Sequence, residues 1–149
     1  MALTVTINCE NIKIHLPDNV LLNYHYFSNT DGYAKGYPKY VKLNLVIDVL
    51  ALLSDKDASL EENLITLDNL RIWGNQKFKR ETKDYYYRRV ILKQTHEDAI
   101  FRTIKFSHAY VNNFTENIEL SKRVHTITLE LLQKKDKLHL RESKGGLIK

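Results

Sequence analysis

Apolar and polar residues alternate with a period of two along much of the chain. Leu3, Val5 and Ile7 alternate with Thr4, Thr6 and Asn8, and after Glu10-Asn11 the pattern resumes as Ile12, Ile14 and Leu16. This spacing predicts two half-buried strands joined near Asn8 to Asn11, with Pro17-Asp18-Asn19 as the next turn. Val20 to Ser28, rich in Leu, Tyr and Phe, reads as a third strand. Asn29 to Pro38 carries Asp31-Gly32, Gly36 and Pro38, residues that supply positive φ or a fixed bend, and reads as a loop. In the next stretch Val41, Leu43, Leu45, Ile47 and Val49 point one way while Lys42, Asn44 and Asp48 point the other, a long strand with one buried face.

One stretch is helical. Ser59 and Glu62 form a capping-box pattern, and Leu60, Leu64, Leu67 and Leu70 recur at helical spacing. A helix from about Ser59 to Asn69 is expected, ended by Trp73-Gly74-Asn75 because glycine and asparagine accept a left-handed conformation. Strand character returns at Tyr85 to Gln94, Ile100 to Val111, Phe114 to Leu120 and Val124 to Lys134. The expected fold class is therefore mainly β: a small antiparallel β-barrel or two-sheet sandwich with one short α-helix. Residues 1–135 would form the single domain, and the basic tail 136–149 would fray or order only against a partner.

Composition narrows the class. A chain of 149 residues with 43% hydrophobic and 28% charged residues is the size of one globular domain, not a disordered segment. A single cysteine, Cys9, excludes a disulfide framework. Met1 to Lys13 has no basic lead followed by an apolar run, and no stretch approaches the roughly 20 apolar residues of a membrane span, so folding in the cytoplasm is expected. Asn113-Phe114-Thr115 matches a glycosylation acceptor by chance in that setting. Charge is uneven: residues 1–76 carry six Lys/Arg against nine Asp/Glu, residues 77–149 seventeen against nine. Such asymmetry fits a polyanionic partner, and equally a ring or stack whose two faces carry opposite charge.

Catalytic patterns are missing. Gly32-Tyr33-Ala34-Lys35-Gly36 lacks the spacing of a phosphate-cradling loop, and His15, His25, His96, His108, His125 and His139 show no metal-site spacing. In His96-Glu97-Asp98 adjacent side chains would point apart, and Cys9 would need a histidine nearby in space to act as a nucleophile. The most distinctive polar region is 77–94, with seven positive and two negative residues. Lys77, Lys79, Arg80, Tyr86, Arg88 and Arg89 interleave cations with rings, as single-strand nucleic-acid binders do. The structural alternative is a half-buried aromatic strand with Tyr85 and Tyr87 on one face and Tyr86 and Arg88 on the other.

The second half carries a resemblance. Phe106, Ala109 and Tyr110, then Phe114 and Glu116, then the threonine-rich run Thr126-Ile127-Thr128-Leu129-Glu130-Leu131 ending in Lys134-Lys135, resemble the haemolysin-coregulated proteins of type VI secretion and related tail-tube proteins of contractile injection systems. His108 stands where that pattern has an acidic residue. The resemblance implies a small antiparallel barrel with one helix, a homohexameric ring that stacks into a hollow tube, no catalysis and no cofactor. It implies self-association first, with sheath, baseplate or secreted-effector proteins as further partners. The loop residues Tyr33, Lys35, Tyr37 and Tyr40, together with the basic tail, are the expected interface positions. A nucleic-acid-binding module built on segment 77–94 is the competing reading. A small-ligand barrel and a hydrolase are weaker ones.

Overall fold

The computed structural model describes residues 2–30, 38–80, 86–97, 99–134 and 142–145; of 28–30, 38–41 and 142–145 it describes the backbone alone. Among these residues the chain runs β1 (Ala2–Cys9), β2 (Ile12–Leu16), β3 (Leu21–Thr30), β4 (Pro38–Asp48), α1 (Val49–Leu53), α2 (Leu60–Asn75), β5 (Arg88–His96), β6 (Ala99–Glu119), β7 (Val124–Gln133) and β8 (Glu142–Gly145). The strands form one antiparallel sheet in the order β2-β1-β5-β6-β7-β4-β3, with β8 beside β6. The fold is mainly β, as the alternation predicts. Among the described pairings the sheet stays open at β2 and β3, so the sandwich description applies and the closed barrel does not.

Register explains why these residues make this sheet. Val5 sits opposite Leu16 and Leu92, Ile7 opposite Ile14 and Val90, and Leu43, Leu45 and Ile47 opposite Leu131, Leu129 and Ile127. All twelve are buried, so each row places apolar side chains on one face only. The two halves of the sheet then close on each other. The Tyr24 hydroxyl on β3 donates to Gln94 Oε1 on β5 at 2.7 Å, and the Tyr26 ring lies 6.3 Å from Phe106 on β6. Burying each large aliphatic side chain contributes about 1.5–3 kcal/mol, which makes this shared interior the main stabilising element.

The helices cover what the strands leave open. Asp48 Oδ1 accepts from the amides of Leu50 and Ala51, which ends β4 and starts α1, so the expected strand stops one residue short of Val49. Ser59 Oγ accepts from the Glu62 amide, as the capping pattern predicts. Helix α2 runs on to Asn75, beyond the expected end at Asn69. Trp73 explains the extension: it is buried with Leu67 and Leu70, and its indole N–H donates to the Tyr86 carbonyl at 2.9 Å. The packing energy of the ring outweighs the propensity cost of Gly74.

Other strand boundaries also differ from expectation: β3 runs on to Thr30 and β4 starts at Pro38, so both ends of the stretch expected as a loop are paired strand. The predicted strands Ile100–Val111 and Phe114–Leu120 are one strand, β6, because a register shift between Val111 and Asn113 lets the chain continue past the polar Asn112-Asn113 pair. Strand β5 begins at Arg88, so the alternating faces expected for Tyr86, Tyr87 and Arg88 do not form. Instead Tyr86 and Tyr87 join Phe78 and Tyr110 in one cluster of rings, with Tyr86 stacked on Tyr110 at 5.6 Å.

Gly74 gives a test of this packing. A Cβ there would collide with the Phe114 ring on β6. Gly→Ala in a helix normally stabilises by about 1 kcal/mol, but overpacking costs about 1–3 kcal/mol. Gly74→Ala should therefore lower stability in urea unfolding, and adding Phe114→Leu should restore part of the loss.

Candidate assembly surface

Strand β6 is 21 residues long and changes neighbours half-way. Residues from Ala99 to Ala109 pair with β5, and those from Ala109 to Glu119 pair with β7 on the opposite edge. Ala109 is the hinge residue, opposite both Arg88 and Gln133 and fully buried. The hand-over is fastened by polar contacts: Gln133 Oε1 accepts from the His108 amide at 2.9 Å, its amide donates to Ser107 Oγ, and the Lys134 amide donates to the His108 carbonyl. Beyond the end of β7, β8 takes the same edge of β6, with Glu142 to Gly145 opposite Lys105 to Arg102.

Further along β6, α2 is bolted to the sheet. Glu116 accepts two hydrogen bonds from the Arg71 guanidinium, at 3.3 and 2.7 Å, and meets His125 Nε2 on β7 with its Oε2. The bond from Arg71, reinforced by the one from His125, holds the Glu116 carboxyl below its ordinary pKa against the opposing effect of burial. The same bond raises the Arg71 pKa. Phe114, two residues before Glu116, lies against Gly74 of α2. The residues that carry the family resemblance therefore have packing roles: Phe106 in the core, Ala109 at the hinge, Tyr110 in the ring cluster, and Phe114 and Glu116 under α2. Arg71, Gly74 and His125 complete this arrangement. They escape sequence reasoning because Arg71 and Glu116 are 45 positions apart.

Two exposed features are unusual for a chain standing alone. Among the described residues no strand pairs with β6 from Tyr110 to Glu119 on the edge that β5 occupies earlier, and β2 and β3 each present an outer edge. Helix α2 is apolar on both sides: Leu67, Leu70 and Trp73 face the core while Leu60, Leu64, Ile65 and Ile72 are exposed. These four stand among Glu61, Glu62, Asp68 and Arg71, so the solvent side of α2 is mixed, with more apolar surface than a fully solvated helix face carries. Leu120, at 86% exposure, and Ile118 extend the apolar surface at the end of β6.

The sequence-predicted site residues are dispersed. Tyr33, Lys35 and Tyr37 lie outside the described residues, and Tyr40 is described only as a backbone position of β4 opposite Asn29. Lys77, Lys79 and Arg80 are exposed just beyond α2. Tyr86 is packed into the ring cluster. Arg88 is 2% exposed, with its guanidinium 5.0 Å from the centre of the Trp73 ring, and burial pushes its pKa down. Arg89, by contrast, is exposed on the outer face of β5. Cys9 is buried, and burial raises its pKa, which disfavours a nucleophilic thiolate. Among the described residues no three His, Cys, Asp or Glu side chains converge as a metal site, and no helix is long and apolar enough to cross a membrane.

No known family pattern matches the chain, and no curated protein matches it. Solved structures do. The sheath-tube complex of an extracellular contractile injection system, PVC, matches with a TM-score of 0.50 and 12% identity over 95% of this chain and 88% of that one. A chain of the six-fold symmetrised baseplate of the anti-feeding prophage matches with a TM-score of 0.50 and 18% identity over 96% and 92%. An Hcp1 protein from E. coli EAEC 042 matches with a TM-score of 0.50 and 7% identity over 97% and 99%. The chain has the Hcp-like tube fold. At these identities the likeness is one of fold, and it extends over almost the whole chain, including the strands before β4 that carry no sequence resemblance.

The Arg71–Glu116–His125 contact predicts a pH signature. Because the Glu116 pKa is depressed in the folded chain, its stabilisation is present above the ordinary carboxylate pKa of about 4.3 and is lost as pH falls through the lower folded value. Glu116→Gln should cost about 0.5–1 kcal/mol near neutral pH, as expected for a part-exposed ion pair. In urea melts from neutral to acid pH, the gap between Glu116→Gln and the parent chain should close below about pH 4.

Proposed function

We propose that the chain is a structural subunit that forms rings of six, which stack as the inner tube of a contractile injection system or phage-tail-like particle. The observation that carries the reading is the edge of β6 from Tyr110 to Glu119, which has no strand partner among the described residues, in a chain with the Hcp-like tube fold. A long open edge invites aggregation unless it is covered, and pairing with a second copy would satisfy its amides and carbonyls. The exposed apolar side of α2 supports the same reading, since an assembly would bury it. Six-fold order is suggested by the symmetry of the anti-feeding prophage particle. Residues 1–135, with β8 added along the edge of β6, are then the body of the subunit, and the segment holding Tyr33, Lys35, Tyr37 and Tyr40, with the rest of the basic tail 136–149, makes contacts between copies. Sheath, baseplate or secreted proteins are the further partners. The role is mechanical, with no reaction and no cofactor, in a particle assembled in the cytoplasm.

Light scattering coupled to size exclusion at moderate salt, followed by negative-stain imaging, tests the proposal. The expected result is a mass near six chains with annular particles or tubes, and a clean monomer at all concentrations would overturn it. Thr115→Lys with Asn117→Lys places two cations on exposed positions of the open edge half, a device that blocks edge pairing. This variant should need about tenfold more protein to assemble, with its urea midpoint unchanged.

A further inference from the structure

Beyond assembly, and independent of it, we propose that the outward face of β2, β1 and β5 is a binding site for phosphate chains. The register builds the site. Asn8 lies between Lys13 on β2 and Arg89 on β5, Thr6 lies between His15 and Ile91, and Thr4 lies opposite Lys93. The alternate residues of these strands, Val5, Ile7, Ile14, Leu16, Val90 and Leu92, are buried, so this set faces outward. All but Arg89 line one concave cavity of about 350 Å³. Its floor is short side chains, two threonines and an asparagine, and its rim is long cations, so the depression follows directly from the side-chain lengths. Thr6 Oγ1 lies 3.4 Å from His15 Nδ1, tying floor to rim.

Charge on this face has one sign. Among the described side chains of β1, β2 and β5 that point outward here there is no carboxylate. The nearest acids lie outside it: Glu10 in the β1–β2 turn, and Asp55, Asp57 and Glu62, which share a second cavity with Lys13 and His15 on the far side of β2. The two β5 cations of this face are Arg89, which shares a neighbouring cavity with Glu10 and Lys134, and Lys93. The outward face of β4 and β7 is different, with Lys42 and the acid Glu130 both on it, the latter accepting from Asn112 at 2.8 Å.

The chemistry fits a phosphate chain better than a protein surface. Ile91 is the one sizeable apolar side chain among the cavity-lining residues, whereas the centre of a protein contact needs aromatic or aliphatic anchors. Hydroxyl and amide donors beside Lys and Arg are the groups that hold phosphate oxygens. No Phe, Tyr or Trp ring is among the described residues that line the cavity, so it has no stacking platform for a run of bases and binding would rest on phosphate rather than on sequence. The site thus differs from the basic segment Lys77 to Arg80, which lies elsewhere on the chain.

The test is fluorescence anisotropy of the full chain with a labelled mixed-sequence DNA strand, competed by unlabelled strand, by inorganic polyphosphate of equal charge and by polyglutamate. Binding should be measurable at about 50 mM salt and should weaken steeply as salt rises. Arg89→Glu with Lys93→Glu should reduce affinity at least about tenfold and flatten the salt dependence, since each lost phosphate contact lowers its slope by about 0.7–0.9. Lys77→Glu with Lys79→Glu should leave both unchanged. Equal competition by polyphosphate assigns the site to phosphate chains of any origin, and stronger competition by the strand assigns it to nucleic acid; both support the proposal. It is overturned if the parent chain does not bind, if the Lys77/Lys79 variant loses binding while the Arg89/Lys93 variant keeps it, or if polyglutamate competes as well as polyphosphate. An unchanged urea midpoint for each variant separates lost binding from lost fold.

Discussion

Every backbone amide and carbonyl of a strand must find a partner, and β6 is too long for any one neighbour to supply them. It spans 21 residues, against nine for β5 and ten for β7. The chain meets the demand by changing partners at Ala109, and the rest of the structure follows from that change. Because β5 and β7 sit on opposite edges, the sheet can fold its two halves over a common core. For the same reason β6 from Tyr110 onward keeps one edge without a strand partner among the described residues. The fold and the proposed assembly thus share one geometric cause.

Helix α2 stands at this exposed half. Leu67, Leu70 and Trp73 commit one side of it to the core, and the Arg71–Glu116–His125 contact fixes its place against β6 and β7. Magnitudes rank the two: burial of the three large side chains outweighs a part-exposed ion pair several-fold, so the charges set position more than stability. What remains exposed, Leu64, Ile65 and Ile72, is apolar surface that the proposed assembly would bury. An assembly gives the apolar helix face and the open edge the same explanation. The cationic outer face of β1, β2 and β5 lies away from the open half of β6 and meets α2 only at its β2 end, where Lys13 and His15 share a cavity with Glu62, so a polyanion held at the β5 side would leave the proposed assembly contacts free.

Much of the fold was legible in the pattern of residues. Strict alternation located β1, β2 and β7 to within a residue or two and the buried part of β4, because one face of each is buried and a slip of one position would expose every apolar side chain. Aromatic and polar residues misled where tertiary packing decides. Tyr86 and Tyr87 looked like strand residues but serve a ring cluster, and Gly74 looked like a helix end but lies inside α2 to make room for Phe114. The bulge near Asn112 was invisible because polar pairs at a turn and at a bulge look alike. The Phe106 to Glu116 motif pointed to the right fold, although nothing local shows that Glu116 would find Arg71 and His125. The expected interface positions Tyr33, Lys35 and Tyr37 lie outside the described residues, so the proposed surface rests on β6 and α2.

Hydrogen exchange read at the amides from Tyr110 to Glu119, over a range of protein concentrations, tests most directly whether the open edge is where copies meet. The account predicts that amides on the free edge exchange quickly in dilute monomer and become protected as the assembly forms, while amides paired with β7 are protected throughout. Assembly that proceeds with the free-edge amides still exchanging at the monomer rate would contradict it.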